Sequence, residues 1–188
     1  MNNKFQTTGL YMFFFMVLIL CSKAGFAQSN KSSNLSLYVH GLYGTALDNS
    51  SQNRYNGGFG GVTGICYGAK NTYAVGSIGY TSFSAKGTLV TSNQSYIPLK
   101  VGVRELFPIN SSKIFGQADV GVGFISSNVT SASYGGKSSD SRFAFDIGVG
   151  ARLGKSIEAA VVWDNFKEVK PDGWSSWLTF QLGWALDF

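Results

Sequence analysis

The sequence predicts an all-β protein: an eight-stranded antiparallel up-and-down transmembrane β-barrel, formed after a cleaved signal peptide. Three observations predict it. An apolar leader opens the chain, charged residues are scarce beside glycine and aromatics, and segments of alternating character recur from residue 35 to the C-terminus.

In the leader, Lys4 gives a weakly basic start, GLYMFFFMVLIL (9–20) is a continuous apolar run, and Gly25-Phe26-Ala27 supplies a small-residue exit before Gln28. That is the pattern of a secretory signal, with cleavage expected after Ala27. A spanning helix needs roughly 20 apolar residues, more than this run offers. Leu18-Ile19-Leu20-Cys21 has some likeness to a lipoprotein signal, but Leu20 is bulky where such signals want a small residue. The expected division is 1–27 signal peptide, 28–34 short N-terminal extension and 35–188 barrel. Cys21 then departs with the leader, and Cys66 alone cannot form an internal disulfide, which sets aside the cystine-stapled secreted class.

Removing the leader lowers the formal charge from +5 to +3, because Lys4 and Lys23 go and no acid does. The remaining charges are spread along the chain, so the basic balance does not point to nucleic acid, whose footprint is a concentrated patch. Charged residues make up 13% of the sequence and aromatics 15%, with 24 glycines and 3 prolines. A soluble domain usually carries about 25% charged residues. A wall facing hydrocarbon can do without them.

The strands follow from period-two alternation, since successive side chains of a strand point to opposite faces. In RFAFDIGVGARL (142–153), one face carries Phe143, Phe145, Ile147, Val149, Ala151 and Leu153, and the other is charged or small. Segments 35–43, 96–104, 114–124, 157–164 and 177–188 repeat the pattern. Segments 55–67 and 73–83 are richer in glycine and leave their faces open. No stretch after residue 34 has a helical period or helix-cap signature. The connections are expected at 44–54, 68–72, 84–95, 105–113, 125–141, 154–156 and 165–176. Long external loops alternating with short turns fit a barrel whose two chain ends lie in the periplasm.

The inward faces gather charge. Lys100, Arg104, Arg142 and Arg152 stand against Asp119, Asp146, Glu158, Asp164 and Asp187. Buried charges need partners, so this near-balanced set predicts a lumen charge network that fills the barrel, with Asp146 near Arg104 or Arg142. His40 also falls on an inward row, with Asp187 or Gln181 as a candidate partner. Trp163, Trp174 and Trp177 flank the last long loop and are expected at the outer membrane boundary, with Trp184 and Phe188 near the opposite one.

The pieces SYIPLKVGVREL (95–106), KIFGQADVGVGF (113–124), RFAFDIGVGARL (142–153) and WLTFQLGWALDF (177–188) carry a family resemblance. The chain resembles the small outer-membrane β-barrel proteins of the Bacteroidetes lineage, related in architecture to the membrane domain of OmpA-type proteins. The resemblance covers 35–188 and is strongest from 95 onwards. It implies residence in the bacterial outer membrane and contact with its lipids. It also implies recognition of a terminal strand by the barrel-assembly machinery, with Trp184 and Phe188 in the signal positions.

No enzyme signature stands out. His40 is the only histidine, which excludes a histidine-based metal cluster, and Cys66 has no ligand set around it. A lipid-modifying barrel enzyme could use His40 with a serine and an acid such as Glu158 or Asp187, but a hydrogen-bonded structural histidine is the simpler account. Gly58, Gly60, Gly61 and Gly64 lack the lysine motif and helix of a phosphate loop. The expectation is a monomeric, non-enzymatic barrel without cofactor or metal, acting as an envelope scaffold or through its extracellular loops. A narrow channel, a small-solute or lipid-binding barrel and a soluble carrier are the alternatives, and the extracellular partner stays open.

Overall fold

The computed structural model describes residues 34–86, 91–131, 134–168 and 173–188. The expected signal peptide lies outside the described residues. Eight strands follow one another: β1 (Asn34–Ala46), β2 (Tyr55–Ala69), β3 (Thr72–Ala85), β4 (Thr91–Ile109), β5 (Ser112–Ser131), β6 (Tyr134–Leu153), β7 (Ile157–Glu168) and β8 (Gly173–Asp187). Each pairs antiparallel with the next, and β1 pairs with β8 from Ser36↔Asp187 to Ala46↔Trp177, closing the barrel. Over the closed ladders the backbone has no open edge, the condition a sheet would have to meet in hydrocarbon.

The alternating faces fall as expected. Outward residues such as Val149 and Leu182 are 63% and 65% exposed, whereas Lys100, Arg104, Glu158 and Ala185 opposite them are buried. The two glycine-rich strands resolve as well: Val62, Gly64 and Cys66 of β2 and Tyr73, Val75 and Phe83 of β3 face inward. Inward glycines sit where a large ring crosses from the neighbouring strand. Tyr38 is paired with Gly64, and a Cβ there would stand 2.5 Å from the Tyr38 hydroxyl.

Several connections are shorter than expected. The stretch 105–113 shrinks to a two-residue turn between Ile109 and Ser112, with Asn110 in the left-handed region (φ 51°). Most of 125–141 is strand, because β5 runs to Ser131 and β6 resumes at Tyr134. Thr91–Ser95 extends β4 in the same way. These pieces are rich in Ser, Asn and Gly and lack the apolar face by which a membrane strand is recognised. They stand beyond the apolar band and need none.

Nor is 47–54 wholly irregular. A six-residue helix, α1 (Asn49–Arg54), occupies it, capped by Asp48, whose side chain accepts from the Ser51 N–H. A single turn and a half is too short to show a helical period.

Candidate functional site: the barrel interior

Inward side chains from six strands meet in two polar clusters, one toward the short-turn end and one at mid-height. Glu158 of β7, 0% exposed, centres the lower cluster. It accepts from Arg152 Nε at 2.8 Å, from His40 Nε2 at 3.0 Å and from Arg104 Nη1 at 3.2 Å. Arg152 Nη1 also donates to Asp187 Oδ1 at 2.7 Å, linking the cluster to the short-turn mouth, where Lys113 approaches Asp187 at 3.9 Å. The Arg104 guanidinium lies between the rings of Tyr38 and Phe115, 4.6 and 4.3 Å from their centroids, and its Nε donates to Gln117 Oε1 at 2.7 Å. A carboxylate met by several donors, and a guanidinium set between ring faces, are how these two buried ions offset their desolvation cost.

Lys100 of β4 anchors the upper cluster. Its Nζ donates to Asp146 Oδ2 at 2.6 Å and to Asp164 Oδ1 at 2.9 Å. The sheet register sets Asp119, Asp146 and Asp164 directly opposite one another on β5, β6 and β7. Asp119 Oδ2 accepts from Gln117 Nε2 at 2.5 Å.

Above them an aromatic layer crosses the lumen. Phe83 and Trp177 pack at a tilt of 41° with centroids 4.2 Å apart, Tyr55 lies 5.9 Å from Phe83, and Tyr96 meets Phe166 at 4.9 Å. Trp177 Nε1 donates to Ser175 Oγ at 3.0 Å, and the Ser175 and Ser51 hydroxyls lie 2.8 Å apart, so α1 is tied down over this layer. Asp48 joins the same lid by accepting from the N–H groups of Ser51 and Ser176 at 2.8 and 3.2 Å. Burial alone would raise its pKa, but those two N–H groups outweigh it and hold the carboxyl below its usual value.

Between the clusters remains a cavity of about 40 Å³, reached by His40, Lys100, Asp146, Asp164 and Gln181. At roughly 10–15 Å³ per water it has room for a few waters, not for a solute.

The structure brings Lys100, Arg104, Asp119, Asp146, Arg152, Glu158 and Asp164 together in the lumen and corrects some of their expected roles. Asp146 pairs with Lys100 rather than with Arg104 or Arg142, because the register sets Lys100 at its height. Arg142 leaves the network: it lies at the loop end and pairs with Asp140. Asp187 is a mouth residue, 47% exposed at its side chain, although Arg152 ties it inward. His40 finds Gln181, as expected, at 3.2 Å from Nδ1, but its carboxylate is Glu158 and not Asp187. Trp177 is buried inside, while Trp163 and Trp174 lie outside against Phe145 at 5.9 and 5.2 Å. Trp184 and Phe188 are exposed on the outer wall. Gln117, Tyr38, Tyr96 and Phe115 share the inward parity of the charges, the signal by which the sequence could have placed them.

A closed eight-strand barrel with an apolar exterior and a charged, packed interior is now in view. The fold is that of the small outer-membrane barrels. A major outer membrane protein from Thermus thermophilus superposes with a TM-score of 0.60 at 13% identity, covering 84% of this chain and 100% of that one. Ail, the attachment invasion locus protein of Yersinia pestis, gives 0.53 at 14% identity, covering 82% and 97%. The outer membrane enzyme PagL gives 0.50 at 15% identity, covering 79% and 98%. No protein-family model and no curated protein matches the sequence at a significant level. At these identities the likeness speaks for the fold, and the fold is shared by an attachment protein and an enzyme.

Proposed function

We propose that this chain is a bacterial outer-membrane protein whose barrel is a non-conducting, non-catalytic scaffold, with both chain ends in the periplasm and its working surface at the loop end. The observation that carries this reading is the obstructed lumen. The Arg104–Glu158–Arg152 cluster closes the lower half, and the Phe83–Trp177 and Tyr96–Phe166 pairs close the upper. The exposed ring of Leu, Val, Phe and Trp supports a lipid environment, and the leader supports export. His40 is engaged at both ring nitrogens, by Glu158 and by Gln181, which favours a structural role over a catalytic one. Trp184 and Phe188, at the open end of β8, are suited to recognition by the barrel-assembly machinery, and the protein is read as a monomer without cofactor.

Two measurements test this in sequence. Detergent-extracted membranes should contain a band that migrates differently before and after boiling, as a folded membrane barrel does; recovery only in the soluble periplasm would sink the reading. The purified barrel should then give no resolved conductance steps in a planar bilayer. Steady single-channel openings would replace the scaffold with a pore.

A further inference from the structure

The walls of the barrel are of unequal height. β4, β5 and β6 have 19, 20 and 20 residues, whereas β7 has 12 and β8 has 15. β5 and β6 stay in continuous register from Lys113↔Arg152 to Ser131↔Tyr134. On its other side β6 meets β7 only as far as Ala144↔Phe166. Beyond that point the β7–β8 hairpin keeps its own ladder, to Glu168↔Gly173, and leaves β6. Among the described residues, Tyr134–Phe143 therefore has an open edge, about 33 Å long at the usual rise per residue.

Such an edge turns the N–H and C=O of every second residue outward, ready for another strand. Proteins commonly blunt exposed edges with proline, a bulge or unpaired charge. Here YGGKSSDSRF contains no proline, its register with β5 is unbroken, and two of its three charges, Asp140 and Arg142, pair with each other, which leaves Lys137 as the one remaining charge of the segment. Short side chains, Ser138, Ser139 and Ser141, leave the backbone accessible. At the foot of the edge, Phe143 is exposed and meets Trp174 edge-on at 6.1 Å, an apolar step beside the polar rail.

We infer that the Tyr134–Phe143 edge is a docking site for an extended segment of another polypeptide outside the cell, which adds a strand to β6 and seats an apolar side chain on Phe143 and Trp174. The inference deepens the proposed scaffold reading and rests on it for the orientation of the loop end. Backbone complementarity selects a peptide over a lipid or glycan, because only another strand matches a row of alternating donors and acceptors. A second copy does not fit. Two barrels inserted the same way are related by an axis along the membrane normal, so strands tilted roughly 35–45° would cross at about 70–90° instead of pairing. The chain's own N-terminus does not fit either, since β1 starts at Asn34 opposite Gly68, at the short-turn end.

The test uses the full mature chain in lipid nanodiscs and a decapeptide of alternating Thr and Val ending in Trp. Amide hydrogen exchange is read across 134–143. Alone, the edge amides should exchange as open backbone. With peptide at ten times its Kd they should slow about tenfold, and the same peptide N-methylated at every second residue should leave them fast. Protection without peptide overturns the inference, and if that protection grows with protein concentration the occupant is a second copy. Failure of the peptide to slow exchange, or equal slowing by the N-methylated form, overturns it too. A chain that will not enter nanodiscs as a heat-modifiable barrel fails the scaffold reading instead, so the two failures are distinct.

Discussion

Glu158 is touched by Arg104, Arg152 and His40, and no part of it reaches solvent. Replacing it by Gln would keep the shape and strip the counter-charge from two buried guanidinium groups. Breaking a buried pair in this way costs about 3–5 kcal/mol. Glu158→Gln should therefore lower the urea concentration at which the folded, fast-migrating band is lost. Asp140→Asn, at the exposed Arg142 pair, should shift it little, since surface pairs are worth about 0–1 kcal/mol. Equal midpoints for the two variants would remove Glu158 from the centre of the network. The parity of these side chains was legible in the sequence: Lys100, Arg104, Asp146 and Glu158 alternate with apolar neighbours and all lie inside. Their partners were not, because a pairing depends on the relative height of strands far apart in sequence. Asp146 illustrates the point, meeting Lys100 rather than an arginine.

At the scale of elements, the apolar part of each strand could be read and its polar continuation could not. Val120–Phe124 announces itself by alternation. Ser126–Ser131 continues the same strand without an apolar face, and looks like loop until its register with β6 is seen. The helix α1 was hidden for a related reason, its definition resting on one cap instead of a period. That cap makes a prediction. Asp48 is held below its usual value, so its contribution is complete above the ordinary aspartate value of 3.8 and is lost as pH falls through the lower, folded one. The amide resonances of Ser51 and Ser176 should move together with a midpoint below 3.8. Asp48→Ala should abolish that titration and loosen α1 by about 0.5–2 kcal/mol, the usual worth of an N-cap. A midpoint above the ordinary value would show that the two N–H groups do not hold the carboxylate.

At the scale of the whole molecule, the lumen is crossed by two layers of different chemistry, one aromatic and one ionic. Opening only the first should not make a pore. The double variant Phe83→Ala, Trp177→Ala should stay silent in a planar bilayer, because Arg104, Arg152 and Glu158 still bar the way below. Conductance in that variant would mean that the ionic layer passes ions by itself. On the proposed membrane reading, that layer also bears on how the chain is inserted. Lys100 on β4 reaches Asp146 on β6 and Asp164 on β7, and Glu158 on β7 is met from β1 and β4. These contacts span strands that are not neighbours, so none of them exists in an isolated hairpin. The β4–β5 hairpin entering hydrocarbon alone would carry Lys100 and Arg104 without the carboxylates of β6 and β7, at about 2–4 kcal/mol for a cation near the bilayer midplane. Separate insertion would be uphill for that hairpin, whereas β6–β7 carries the Arg152–Glu158 pair within itself. On that reading, β4 enters together with β6 and β7, its charges already met by their counter-ions as the first and last strands close.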